Sequence, residues 1–292
     1  MHANPVLLLD GPTGTELQRR GFDTRLPLWS AGANRAAPDL LVQIHREYIE
    51  AGADVITANT FRTNTRAAVH AGLSRTEARE LTRRGIELAR RAIAESGRTG
   101  ILLAGSDAPV EDCYSPELVP GDGALRVEHR EHIAWMMEDG CDVILIETMN
   151  TLHEAVIATE AARELGARTW TSIVTDTTGE RLLSGEEIEE AVKELAALQP
   201  EAMLVNCAGP GATLRAVAIV AEYQREHGGA WIYGGYPNGT VPDPIEGWSH
   251  PRSIPTEEIL DALAAMVSYG ATIIGGCCGT RPEQLALVRA RL

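Results

Sequence analysis

Aromatic side chains are scarce, with 5 Trp, 6 Tyr and 2 Phe in 292 residues. The interior must therefore be largely aliphatic, and a cage of stacked rings for a quaternary ammonium ligand has little to draw on. Basic residues are outnumbered, 26 Lys and Arg against 41 Asp and Glu, for a net charge of −15. That balance argues against an electrostatic grip on nucleic acid or an anionic membrane, which needs clustered cations. No apolar run approaches the roughly 20 residues of a membrane span, and Met1–Asp10 is too short and too uncharged for a secretory leader. An apolar content of 44% is too high for a disordered polyelectrolyte. The expectation is a soluble, cytoplasmic globular protein folding as one domain over residues 1–292.

Cysteine is also sparse. Five in a chain this long do not make a disulfide framework, and an odd count leaves one unpaired. Cys277 and Cys278 are adjacent and could bond to each other only with strain, so reduced thiols for catalysis or metal binding are expected.

What recurs is a short aliphatic run, a polar loop and an amphipathic stretch closing near Gly. Strands are expected at Val6–Leu9, Val55–Ala58, Ile101–Ala104, Val143–Ile146, Thr169–Val174, Ala202–Val205, Ala230–Tyr233 and Ala271–Ile274. They start about 38 residues apart on average, which suits a strand plus crossover helix. Ser74-x-x-Glu77, Ser184-x-x-Glu187 and Thr280-x-x-Glu283 read as capping boxes. Pro38 and Pro282 sit near helix starts, and Gly52, Gly140 and Gly270 sit where a left-handed residue would end a helix before the next strand. The eight units predict an α/β fold, a closed (β/α)8 TIM-type barrel with a parallel sheet. An open doubly wound sheet would carry a nucleotide fingerprint after its first strand, and Gly11-Pro-Thr-Gly14 is not one.

In such barrels chemistry gathers where strands finish. The polar residues there are Asp10, Asn59 with Thr60, Ser106 with Asp107, Glu147 with Thr148, Thr175 with Asp176, Asn206 with Cys207, Asn238 after Tyr236, and Cys277 with Cys278. Three of the five cysteines fall among them. Strands six and eight flank strand seven, so Cys207 and the Cys277–Cys278 pair can converge over the barrel mouth. Three thiolates with one position left open describe a catalytic Zn2+ site, and Gly275, Gly276 and Gly279 let the backbone bring neighbouring sulfurs to one ion. Three negative ligands make zinc a poor Lewis acid, but a coordinated thiol is still deprotonated. The implied chemistry is activation of a substrate thiol, with an electrophilic methyl group as a plausible target. Cys141 reads as packing on the opposite barrel face; Cys113 lies in the loop after strand three, near the active face.

The histidines supply no ligand set. His129 and His132, three apart on a helix, read as a solvated face, and His45, His70, His153 and His227 fall on or just beyond helices. His2 and His250 have no readable partner. Asp10 and Glu147 end aliphatic strands, where a carboxylate needs a cation or hydrogen-bond donors. A substrate ammonium would serve, suggesting an amino-acid substrate; capping a loop or pairing with an Arg such as Arg62 is the structural alternative.

Leu8-Leu-Asp-Gly-Pro-Thr-Gly-Thr-Glu-Leu17, Ala58-Asn-Thr-Phe61, Ile146-Glu-Thr148, Val205-Asn-Cys207 and Gly275-Gly-Cys-Cys-Gly-Thr280 resemble, in order along nearly the whole chain, the homocysteine S-methyltransferase family. The resemblance implies zinc held by Cys207, Cys277 and Cys278, with the homocysteine sulfur as a further ligand. It also implies that Asp10 and Glu147 hold the homocysteine amino group and that the loop after Asp10 receives its carboxylate. Position 12, commonly Gly or Ala in the family, is Pro here and has no N–H to offer. Thr13 and Gly14, or Asn59 and Thr60, would then substitute. Small family members use sulfonium donors, S-methylmethionine or S-adenosylmethionine. The chain also resembles the homocysteine module of cobalamin-dependent methionine synthase. On that kinship it would be one subunit of a methyl-transfer system, and a corrinoid partner protein is required. A zinc- or thiol-binding protein without turnover is the reading from another class.

Overall fold

The structure, a computed structural model, describes residues 5–243 and 247–292, with backbone only at 242, 243 and 247–250. His2 and the side chain of His250 lie outside the described residues. The strands are β1 (Leu7–Leu8), β2 (Val55–Ala58), β3 (Leu102–Asp107), β4 (Val143–Met149), β5 (Thr169–Val174), β6 (Ala202–Asn206), β7 (Ile232–Tyr236), β8 (Thr240–Asp243), β9 (Gly247–Ser253) and β10 (Ile273–Ile274). Eight of them form one parallel sheet in the order β1-β10-β7-β6-β5-β4-β3-β2. A parallel bridge between Leu9 and Val55 joins the two ends, and the Asp10 amide donates to the Val55 carbonyl at 3.0 Å. The expected barrel is therefore the observed one.

A helix follows each barrel strand: Pro38–Glu50, Arg75–Ser96, Asp122–Glu138, Leu152–Glu164, Ile188–Ala197, Pro210–His227, Thr256–Ser268 and Pro282–Arg291. Proline opens three of them, at positions 38, 210 and 282, where the missing N–H would have had no helical partner. Gly52, Gly140 and Gly270 take φ of +104°, +80° and +100°, the left-handed turn that releases the chain into the next strand. Among the described residues no helix is long and apolar enough to cross a membrane.

Side-chain alternation divides the core in two. Leu9, Val55, Ala104, Val143, Leu145, Trp170, Ala202, Leu204, Tyr236 and Ile273 form a cluster contributed by seven strands and by the residue just past β1, which fills the barrel. A larger, mostly aliphatic cluster packs the sheet against the helices. Each fully buried Leu or Ile contributes about 1.5–3 kcal/mol relative to exposure, so a core with few aromatics is sufficient. Period-two alternation carries the inward face upward to Thr57, Ser106, Glu147, Ser172 and Asn206, a polar layer above an aliphatic floor.

Several local expectations need correction. β1 and β10 are only two residues long, β7 starts at Ile232 rather than Ala230, and β3 and β4 run on to Asp107 and Met149. An antiparallel β8–β9 hairpin follows β7, where a loop was expected. Ser74 and Glu77 form their capping box. Ser184 does not: its hydroxyl donates to the Asn150 carbonyl at 2.8 Å, and the next helix is entered at Glu187. The Thr280 box is displaced one residue, because Pro282 occupies the first helical position and makes Arg281 the cap, with Gln284 closing it.

Candidate metal centre

Cys207, just past β6, and Cys277 and Cys278, past β10, arrive at one place. Their sulfurs all lie within 4.8 Å of one another, with Cys207 3.0 Å from Cys277 and 3.8 Å from Cys278. The backbone is bent to allow this. Cys207 has φ +59°, rare for a residue with a side chain, and is held there by its amide donating to the Tyr236 carbonyl at 3.4 Å and by the Asn238 side chain donating to the Cys207 carbonyl at 2.9 Å. Cys277 donates its amide to Pro237 at 2.8 Å. The glycines beside the pair are sterically required: a Cβ on Gly275 would meet Leu9 at 2.8 Å, and Gly279 sits at φ +82°.

The donor set suits a thiophilic ion. With Zn–S bonds of about 2.3 Å, a tetrahedral site separates its sulfurs by about 3.8 Å, the spacing of Cys207 and Cys278 here, while Cys207 and Cys277 stand closer at 3.0 Å. In the metal-free protein, hydrogen bonds from the Cys277 and Cys278 thiols pull the Cys207 thiol well below its ordinary value, while the two donors are pushed up. Tyr114 adds a hydroxyl 3.3 Å from the Cys207 sulfur, a contact that sequence reasoning missed because Tyr114 lies in the irregular loop after β3. All five cysteines are free. Cys113 is buried and lines the same cavity without joining the cluster; Cys141 is partly buried against the sheet–helix core.

Beside the sulfurs is a cavity of about 410 Å³, bounded by Asp10, Pro12–Thr15, Asn59, Arg62, Tyr114, Glu147 and the three cysteines, among others. Asp10 accepts the Thr57 amide and hydroxyl, both at 2.9 Å. Glu147 accepts the Ser106 hydroxyl at 2.5 Å and the Tyr236 hydroxyl at 3.1 Å. Burial pushes Asp10 up to about 8, against the lowering effect of the Thr57 bonds and with the Glu147 charge adding to the rise. Burial also lifts Glu147 to about 7, partly offset by Ser106 and reinforced by the Cys207 charge. Neither carboxylate meets Arg62, whose ion-pair neighbour is Asp112.

The remaining expected residues divide. Thr13 and Gly14 begin the helix Thr13–Arg19 at the cavity wall, and first-turn amides have no partner within their helix. Asn59 reaches the wall but spends its side chain on the Ser30 carbonyl (2.9 Å) and Asn34 (2.7 Å). Thr60 faces away: its amide donates to Ala58 at 2.7 Å and its hydroxyl to the Ser106 carbonyl at 2.9 Å. It lies two residues past the end of β2, and both its donors are used within the fold.

The reading of His129 and His132 as a solvated face is overturned. His129 and His132 are wholly buried, and their Nδ1 atoms both lie 2.7 Å from the Asp107 carboxylate at the end of β3. His129 Nε2 also lies 3.1 Å from Glu154, and His132 Nε2 lies 3.0 Å from the Thr63 hydroxyl. The side chain of Asp107 points outward between sheet and helix, opposite to that of Ser106, so this network stands behind the site and not in it. His45 is also buried, and burial lowers it to about 4. His70, His153 and His227 are exposed as expected.

This arrangement has counterparts among known proteins. The profile of the homocysteine S-methyltransferase family matches residues 7–292. A homocysteine S-methyltransferase of Escherichia coli is 30% identical, with 98% of this chain and 95% of that protein covered. The crystal structure of the homocysteine methyltransferase MmuM from Escherichia coli, in its metallated form, superposes with a TM-score of 0.84 at 26% identity over 99% of this chain and 97% of that one. A methionine synthase of Mycobacterium tuberculosis is 30% identical over 98% of this chain but only 24% of its own length. With a barrel whose strand ends gather three thiols and two buried carboxylates, and with sequence likeness running its whole length, the chain belongs to the homocysteine S-methyltransferase family.

Proposed function

We propose that this homocysteine methyltransferase is zinc-dependent and takes its methyl group from a sulfonium donor, S-methylmethionine or S-adenosylmethionine, giving methionine. The observation that carries the reading is the convergence of Cys207, Cys277 and Cys278 beside Asp10 and Glu147 in one cavity. Zinc in that cradle would supply the deprotonation of a fourth, substrate sulfur at neutral pH. Asp10 and Glu147 hold the substrate ammonium, each fixed in orientation by hydroxyls of the inward-facing layer. The first-turn amides of Thr13 and Gly14 are offered to an anionic end. The substrate thiolate then forms the new S–CH3 bond as the bond to the sulfonium breaks, and the donor leaves as a neutral thioether. Alignment of the two reactants in the cavity supplies much of the rate. Free thiols fit a cytoplasmic setting.

The test is a donor panel with zinc-loaded protein and homocysteine. Methionine formed from S-methylmethionine or S-adenosylmethionine supports the reading. Turnover only with methylcobalamin or a corrinoid protein would replace it with the subunit reading that the methionine synthase likeness favours. Zinc and homocysteine binding without product from any donor would leave a binding protein.

Asp10 provides a separate check. In the unliganded protein its carboxyl rises from an ordinary 3.8 to about 8. A group raised in the folded state favours folding most at low pH, and that contribution is lost as pH climbs through the folded value. Asp10→Asn should abolish this decline, so the metal-free variant melts higher than the parent at pH 8 and not at pH 4. Its KM for homocysteine should rise about 10- to 100-fold, as for loss of a charged hydrogen-bond partner. Unchanged KM would remove Asp10 from the ammonium site.

A further inference from the structure

A single cation faces the cavity. Among the described residues Arg62 is the one Lys, Arg or His in its lining, amid Asp10, Asp112, Glu147 and the cluster sulfurs. Its side chain is only 7% exposed, and its nearest counter-charge, Asp112, is 3.8 Å away, too far for a hydrogen bond. Asp112 spends its oxygens elsewhere, on the Tyr114 amide at 3.3 Å and the Ser115 hydroxyl at 3.1 Å. No group among the described residues accepts a hydrogen bond from the Arg62 guanidinium. Arg66, four residues on, shows the contrast, with its nitrogens 2.6 Å from Glu128 and 3.0 Å from Glu111. Five N–H donors withdrawn from water without acceptors are costly, and the cavity they border is where an acceptor can arrive.

We propose that Arg62 is the receptor for the α-carboxylate of an amino-acid ligand in this cavity. The inference rests on the methyl-transfer reading above and adds to it a second charge partner. Homocysteine and both sulfonium donors are α-amino acids, each carrying an ammonium and a carboxylate. Asp10 and Glu147 answer the former, and a planar guanidinium fork answers the latter in two parallel hydrogen bonds. Pro12 makes such a residue more necessary, since the loop after β1 lacks one of its amides.

The experiment compares zinc-loaded parent, Arg62→Gln and Arg62→Lys on ligands with and without the carboxylate. For the acceptor, calorimetry measures binding of L-homocysteine and of 3-aminopropane-1-thiol. For the donor, it measures S-methyl-L-methionine and (3-aminopropyl)dimethylsulfonium. Arg62→Gln should weaken the carboxylate-bearing member of one pair about 10- to 100-fold, and its decarboxylated partner less than about 2-fold, as expected for one charged bidentate contact. Arg62→Lys should fall between, keeping the charge but not the fork. Which pair responds identifies whether acceptor or donor is held. Equal weakening of both members, as a merely structural role would give, or no weakening in either pair, overturns the proposal. Because binding is read directly, a protein that binds both ligands but transfers no methyl group would fail the functional reading and leave the Arg62 result standing.

Discussion

Cys207→Ser protein is expected to lose stoichiometric zinc and to lose methyl transfer to homocysteine by at least about 10³-fold, since removing a ligand should exceed the 10- to 100-fold cost of disturbing a group that only hydrogen-bonds a ligand. The Cys207 sulfur lies within 4 Å of both others. Its backbone strain at φ +59° is borne by bonds from Asn238 and to Tyr236 that the substitution leaves intact. The metal-free variant should therefore fold and melt much like metal-free parent, separating a lost site from a lost fold. Cys113→Ser is the control, as Cys113 borders the cavity without joining the cluster; it should keep its zinc. Metal content by atomic absorption, read beside turnover, decides the matter. Full zinc and full activity in the Cys207 variant would refute the thiolate-cluster mechanism.

The second large effect lies in the network behind the site. His129 is fully buried between Asp107 and Glu154. Burial by itself would discharge the ring, but the Asp107 charge and the hydrogen bonds that the ring donates to both carboxylates raise it to about 10. Asp107 is correspondingly held low: burial opposes its ionisation, and the charge and bonds of His129 and His132 overcome it. His129→Ala would leave two carboxylates inside the protein with their shared cation gone, a change that costs about 3–5 kcal/mol. The pH dependence carries its own sign. A histidine raised in the folded state stabilises fully below its ordinary 6.5, and that stability is lost as pH rises through about 10. Urea unfolding should therefore show the largest gap between variant and parent near pH 6, narrowing toward pH 10. A gap that is small at pH 6, or that grows with pH, would mean the ring is neutral in the native protein.

That network was illegible in the sequence for a definite reason. His129 and His132 are spaced like any exposed pair on a helix, and what buries them is a carboxylate on β3 and another on the helix Leu152–Glu164, neither nearby in the chain. The apparent box at Ser184 failed similarly, because the Asn150 carbonyl, contributed by the turn after β4, competed for its hydroxyl. Arg62 could be seen as a cation near the mouth, but not that Asp112 would stay out of bonding range.

Aliphatic runs ended by polar residues, at the spacing of strand plus helix, were enough to determine the barrel and to point to Cys207, Cys277 and Cys278 with Asp10 and Glu147. Parallel strands all finish at one end, so linear order already implies which residues share that end. Only the folded chain decided the inward or outward aim of each residue there: Ser106 inward and Asp107 outward, Thr60 withdrawn, Arg62 and Tyr114 brought in from loops. Those aims depend on where β3 extends and how loops close, and both are decided by contacts between segments far apart in sequence.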